Sequence, residues 1–341
     1  MKRWVSLLAG VLSVVLFIAL LSPAAADAAA AALKAEYRLT HNTADTTTWH
    51  KGAVRFAELV RERTGGKVNI RVYPNAILTG GDQMRQADMA ARGVIDFVLT
   101  STLNITPLIP QFAVVSLPYL FNGYADVDRA FSGPAGKRLD EIMARYGLVN
   151  LAWGENGFRE LTNSVRPIRT PADLKGLKIR VAVPIQVDIL NALGANAIQM
   201  QWGEVYTALQ QKVIDGQENP IGAVIIPQRV YEVQKYMTVW HYSYDALFLA
   251  VGKPTWDSFP PDIQQVIRQA AKEAMQYQVE ISRQDTASGV DFLRKQGMEV
   301  YEPTPAEIQP FRDAAKPAFD KWAARVGPDL VALFEQAREA R

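Results

Sequence analysis

Leu174-Lys175-Gly176-Leu177-Lys178-Ile179-Arg180-Val181 opens the stretch that decides the fold, and Asp215-Gly216-Gln217-Glu218-Asn219-Pro220 closes it. From Lys178 to Val183 the apolar residues alternate, with Ile179, Val181 and Val183 on one face and Arg180 on the other, the period of two that a strand requires. A short helix, a second strand, an amphipathic helix and a third strand carry the pattern on to Pro220, which predicts an α/β domain. An arginine in the middle of such a strand faces solvent or a cleft. Its planar fork of donors suits two-point binding of a carboxylate or phosphate, and equally an internal ion pair with one of the chain's 35 acidic side chains.

Composition bounds what this unit belongs to. The 341 residues are 49% hydrophobic and 21% charged, an ordinary globular balance with room for one large or two medium domains. With 37 basic against 35 acidic residues there is no basic stripe, and no nucleic-acid partner is expected. Cysteine is absent, which excludes disulfides, thiolate nucleophiles and cysteine metal sites. Lys2 and Arg3 precede an uncharged run from Trp4 to Leu21 and then Ser22-Pro23-Ala24-Ala25-Ala26, the layout of an export signal, here expected to be cut near Ala26. An uncleaved anchor is the competing reading. After processing no membrane insertion is expected, because no later stretch is long and apolar enough to span.

Toward the amino end, Glu36 to Thr40 begins a strand, a polar loop holds Asn42, and Thr46 to Thr48 can cap a helix over 49–64 that ends at Gly65-Gly66. Val68, Ile70 and Val72 alternate as a strand. A helix over 83–92 then turns through Val94-Ile95-Asp96 into a buried strand, and Val213-Ile214-Asp215 repeats that turn about 120 residues later, which favours two lobes of similar build. Ser101-Thr102-Leu103-Asn104 sit where the first of these strands ends, the place where open α/β sheets hold ligands. A helix over 127–146, a strand over 148–153 and a glycine-rich break at Gly154-Glu155-Asn156-Gly157 lead to Arg159. Residues 221–231 read as helical and 236–244 as a strand. A helix from Asp262 to Ser288, extending toward Lys295, is long enough to brace both lobes.

No catalytic constellation is present. His41, His50 and His241 have no metal-ligand spacing, the Gly-x-Ser-x-Gly elbow and the dinucleotide glycine fingerprint are missing, and Gly133-Pro134-Ala135-Gly136-Lys137 reads as a turn rather than a phosphate loop. We therefore expect no enzyme, no metal and no cofactor. What remains is a binding set: Arg180, Arg159, Asn219, Trp202 and the hydroxyl loop after Leu99 that begins at Ser101. Two arginines near one cleft repel each other unless an anion lies between them, so they point to an acidic ligand.

Four motifs in order, Asp173 to Val181, Glu204-Val205-Tyr206-Thr207-Ala208-Leu209-Gln210, Asp215 to Pro220, and Glu232-Val233-Gln234-Lys235-Tyr236, resemble the solute-binding proteins of tripartite ATP-independent periplasmic (TRAP) transporters, the DctP family. The resemblance extends more weakly over nearly all of the processed chain. It implies a type II periplasmic binding protein: two α/β lobes with a hinge and a long helix bracing both, residues 34–156 plus 246–285 forming one lobe and 157–245 plus 286–341 the other. It also implies that Arg180 grips a ligand carboxylate, that Arg159 assists, that Asn219 supplies a polar contact, and that Trp202 forms an aromatic wall. Asn42 matches a pocket position loosely, and Ser101 stands where sialic-acid binders of the family carry an acid, which favours a smaller organic acid. The implied partners are the small and large TRAP membrane subunits, an ion-gradient-driven carrier. A receptor for an ATP-driven importer and a periplasmic enzyme acting on organic acids are the rival readings.

Overall fold

The computed structural model describes residues 33–339, so the expected leader and its cut near Ala26 lie outside the described residues. The chain runs through β1 (Tyr37–Thr40), α1 (Thr48–Arg63), β2 (Ile70–Tyr73), α2 (Gln86–Ala91), β3 (Phe97–Ser101), α3 (Tyr124–Ser132), α4 (Pro134–Arg145) and β4 (Leu148–Asn163). There follow β5 (Lys178–Val181), α5 (Pro184–Ala192), β6 (Asn196–Gln199), α6 (Trp202–Gln210), β7 (Gly216–Asn219), β8 (Tyr236–Gly252), α7 (Lys253–Asp257) and α8 (Pro261–Ala287). The chain closes with α9 (Gly289–Lys295), β9 (Glu299–Tyr301), α10 (Pro305–Val326) and α11 (Pro328–Glu339). Nine strands form one mixed sheet in the order β2-β1-β3-β8-β4-β7-β5-β6, with β9 beside β8.

The sheet is one frame used twice. Parallel β2-β1-β3 lie against antiparallel β8, and parallel β6-β5-β7 lie against antiparallel β4. In the first copy the Asp96 carboxylate accepts the Arg38 N–H at 2.8 Å while the Asp96 N–H donates to the Arg38 carbonyl. In the second, Asp215 and Lys178 exchange the same two bonds, the carboxylate contact again at 2.8 Å. Ile95 and Ile214 are each buried in the turn before it, while Val94 and Val213 are exposed. The Val-Ile-Asp repeat in the sequence is thus a repeated clamp between the first strand of each unit and the strand that returns beside it.

Sixteen-residue β4 and seventeen-residue β8 run antiparallel along almost their whole length and join the copies, with register shifts at Asn150/Ala152, Glu155/Gly157 and Arg159/Leu161. At the middle shift the backbone of Glu155 turns from the ladder to α8. Its N–H donates to Gln278 Oε1 at 2.9 Å and its carbonyl accepts from Gln278 Nε2 at 2.8 Å. A buried bulge needs such partners because an unpaired peptide group away from water is costly.

Several elements depart from their sequence reading. The strand expected at 148–153 continues to Asn163 through the glycines, and the one expected at 236–244 continues to Gly252. Gly154 marks no break: a Cβ there would lie 2.8 Å from Gln278 Oε1, so the glycine admits α8 against the sheet. The helix expected over 127–146 divides at Gly133-Pro134, where proline disfavours helical torsions in the residue before it and Gly133 is extended. The helix expected over 83–92 keeps only Gln86–Ala91, and residues 221–231 form a π-turn over Ile221–Ile225 and a short 3-10 turn over Val230–Glu232.

The long helix ends at Ala287, and α9 resumes at Gly289. That π-turn packs so tightly here that a Cβ on Gly289 would meet Ile221 Cγ2 at 2.3 Å, and one on Gly222 would meet the Ser282 carbonyl at 2.7 Å. At ~1.5 Å per residue α8 spans about 40 Å, and it packs on α1, on β4 and on the π-turn, elements drawn from both copies of the frame. Of the last two helices, α10 packs both on α5 and on the 3-10 turn over Pro110–Ser116, whereas α11 packs on α3 and α4.

Candidate functional site

Asn42 follows β1, Ser101 ends β3, Arg180 lies in β5 and Asn219 ends β7, so the carboxyl ends of the parallel strands converge as open α/β sheets arrange their ligand contacts. All six side chains expected from the sequence line one tight pocket there, of about 30 Å³. A roomier recess of about 200 Å³ adjoins it and shares Asn42, Gln83 and Trp202.

Arg180 is 1% exposed. Its Nε and Nη2 both donate to the Met200 carbonyl, at 3.0 and 2.7 Å, and its guanidinium lies 5.3 Å from the Trp202 ring centroid. Among the described residues it makes no ion pair, and its Nη1 donates to no acceptor. Burial of a charge without a counter-ion pulls the guanidinium down to about 9. Such a group is expensive until an anion reaches it.

Arg159, on β4, is buried as deeply but fully engaged. Its Nη2 donates to Glu218 Oε1 at 2.9 Å and Asn219 Oδ1 at 3.0 Å, its Nη1 to Asp245 Oδ2 at 2.9 Å, and its Nε to Glu218 Oε2. Burial opposes its charge, but the two carboxylates win and hold the guanidinium above its ordinary range. The expectation that the two arginines need a ligand anion between them therefore fails for Arg159, because Glu218 and Asp245 supply that charge from within the fold.

The rest of the wall is neutral and cross-linked. Ser101 Oγ donates to Asp245 Oδ1 at 2.5 Å, and Asn104 Nδ2 donates to Asn42 Oδ1 at 3.1 Å. Gln83 reaches from the first copy of the frame to the second: its Oε1 accepts the Trp202 N–H at 3.0 Å, while its Nε2 donates to Asn104 Oδ1 at 3.0 Å. Trp202 closes one side, its Nε1 donating to Gln228 Oε1 at 3.1 Å.

Sequence reading missed Gln83, Asn156 and Asp245 on this wall. Asp245 was detectable, since an acid within Tyr244-Asp245-Ala246-Leu247-Phe248 breaks an apolar strand as Arg180 breaks its own. Gln83 carries no comparable mark. Two of the histidines do meet in space, His41 Nε2 lying 3.0 Å from His50 Nδ1, but no group of three metal-ligating side chains occurs among the described residues. No helix among the described residues is long and apolar enough to cross a membrane.

Residues 39–325 match the family model described as bacterial extracellular solute-binding protein, family 7, DctP. The 2,3-diketo-L-gulonate-binding periplasmic protein of Escherichia coli is 34% identical over 278 residues, covering 81% of this chain and 83% of that protein. The C4-dicarboxylate-binding periplasmic protein of Rhodobacter capsulatus is 31% identical over 303 residues, 88% of this chain and 90% of that one. Among solved structures, a TRAP periplasmic solute binding protein from Ralstonia eutropha with bound (S)-2-acetolactate superposes with a TM-score of 0.89 at 38% identity, covering 90% of this chain and all of that one. These relatives are named as binding proteins.

Proposed function

The chain belongs to bacterial extracellular solute-binding protein family 7 and is a TRAP solute-binding protein for organic acids, and from that premise we propose that Arg180 is the group that takes the ligand carboxylate. One observation carries this: a buried guanidinium on the pocket wall with no counter-ion and an unused Nη1. The acid's carboxylate completes the charge pair, and Asn42, Ser101 and Asn219 meet its other polar groups. Arg159 holds Glu218, Asn219 and Asp245 in position. Trp202 supports Arg180 from one side and closes the pocket from another.

We assign residues 34–156 with 246–285 to one lobe and 157–245 with 286–327 to the other, hinged where β4 and β8 shift register; α11, expected on the second lobe, instead rides on the first through α3 and α4. Closing brings Asn42 and Ser101 toward Arg180, and the bonds from Trp202 to Gln83 and from Thr46 Oγ1 to the Pro227 carbonyl, 3.0 Å, then bridge the cleft. A ligand that binds this form better than the open one shifts the population toward it. The closed receptor delivers its acid to the small and large TRAP membrane subunits. The leader directs the chain to the periplasm and is removed.

The test is a thermal-shift panel of organic acids followed by calorimetry. An acid at 100 times its dissociation constant stabilises the fold by ~2.7 kcal/mol. A panel spanning hydroxy, oxo and sugar acids in which none raises the midpoint overturns the reading.

A further inference from the structure

We propose that this pocket selects acids with a single carboxylate bearing hydroxyl or oxo groups, and that Asp245 is the residue that turns away a second carboxylate. The inference rests on Arg180 as the carboxylate anchor and adds to it the charge of everything around it. Arg180, Arg159 and Asp245 are the charged side chains that line the pocket, and Glu218 lies directly behind them on Arg159. Two cations and two anions sum to zero before any ligand enters. One carboxylate leaves the cluster at −1, a charge that donors from Ser101, Asn156, Gln186 and Tyr242 already help to spread. A second carboxylate leaves it at −2 with no cation to receive it.

Neither arginine can serve twice. Arg159 spends Nε, Nη2 and one Nη1 hydrogen on Glu218, Asn219 and Asp245, so its charge is met. The adjoining recess supplies no help, because it is lined by Asn42, Asn75, Gln83, Tyr206, Gln228 and other uncharged residues, without a lysine, arginine or histidine. Asp245 has no oxygen free to reach an incoming acid: its Oδ1 accepts from Ser101 and Thr102, and its Oδ2 from Asn156 and Arg159. Amides and hydroxyls elsewhere on the wall fit neutral polar substituents.

The experiment uses the processed chain and matched acids differing in one end: 4-hydroxybutanoate against succinate, gluconate against glucarate, and monomethyl succinate against succinate. Thermal shift and calorimetry at pH 7.5 should place the single carboxylate ahead in every pair that binds, by about tenfold or more, which is the effect of ~1.4 kcal/mol. A diacid that binds as tightly as its partner overturns the proposal. If no acid of either class binds, the reading of Arg180 falls and this proposal goes with it; if acids bind without regard to charge number, only this proposal falls. Asp245→Asn should narrow the preference between the two members of each pair by about tenfold. An unchanged preference in a folded Asp245→Asn protein assigns the discrimination elsewhere and overturns the role given to Asp245. The wild-type pairs decide the first half of the proposal should that variant fail to fold.

Discussion

Arg159 and Arg180 stand on strands separated only by β7 and line the same pocket, yet Arg159 is bonded to two carboxylates and Arg180 to none. The same residue type therefore has opposite effects when removed.

Arg180→Ala should leave the fold intact and abolish acid binding. Removing one partner of a buried charge pair costs about 3–5 kcal/mol, a loss of about two to four orders of magnitude in affinity. The midpoint of the ligand-free protein should change little beside that of Arg159→Met, since Arg180 bonds only to the Met200 carbonyl. Calorimetry with the best acid from the panel checks the first statement and a melting curve the second. Unchanged affinity would falsify the assignment.

Arg159→Met should act on the fold instead. It strands Glu218 and Asp245 in the interior, each nearly inaccessible to water, and the unfolding free energy should drop by about 3–5 kcal/mol. Urea unfolding of the ligand-free variant measures this, and a drop under about 1 kcal/mol contradicts the structural role.

Acid binding should be flat from pH 7 to 10, because a guanidinium keeps its proton across that range even where burial lowers its proton affinity. Arg180→Lys replaces it with an ammonium that burial can discharge, so that variant should lose affinity as pH rises. Calorimetric titrations of both proteins from pH 7 to 10 check this, and an alkaline decline in the unaltered protein contradicts it.

Acid should destabilise the protein through His41. Burial and the neighbouring His50 hold the imidazole down to about 3, against an ordinary value of 6.5. Between these values the unfolded chain binds a proton that the folded chain refuses. The stability is complete above about pH 6.5 and is lost at up to ~1.4 kcal/mol per unit as pH falls toward 3. His41→Gln should flatten that slope in urea unfolding between pH 7 and 4.5.

Gln278→Leu should cost about 1–3 kcal/mol, the penalty for leaving buried polar groups unmatched, because both peptide groups of Glu155 lose their partner. Amide exchange at Glu155 should quicken in step, and protection there equal to wild type contradicts the account.

The sequence disclosed local things well. Alternation located Arg180, the Val-Ile-Asp repeat located both clamps, and the end of a strand located Ser101, because each signal lies within a few consecutive residues. What it hid depends on distant partners. Gly154 reads as a break and instead makes room for Gln278, 124 positions later, so β4 was cut short. Arg159 reads as a free cation because Glu218 and Asp245, 59 and 86 positions away, become its neighbours only when β7 and β8 flank β4. Asn219 was placed by its motif, but nothing local marks Gln83, which enters the wall from a loop.

The duplicated frame also aligns its two copies residue by residue. With Arg38 matched to Lys178 through their aspartates, Leu39 pairs with Phe97 as Ile179 pairs with Gly216, and Thr40 falls at the station of Arg180. One copy thus spends that station on a hydroxyl bonded to Gln86 and the other on a guanidinium. A symmetric scaffold has acquired an electrically lopsided mouth: if Arg180 takes the carboxylate as proposed, the anion would be tethered to the second copy, and any parting of the halves would free it from the first.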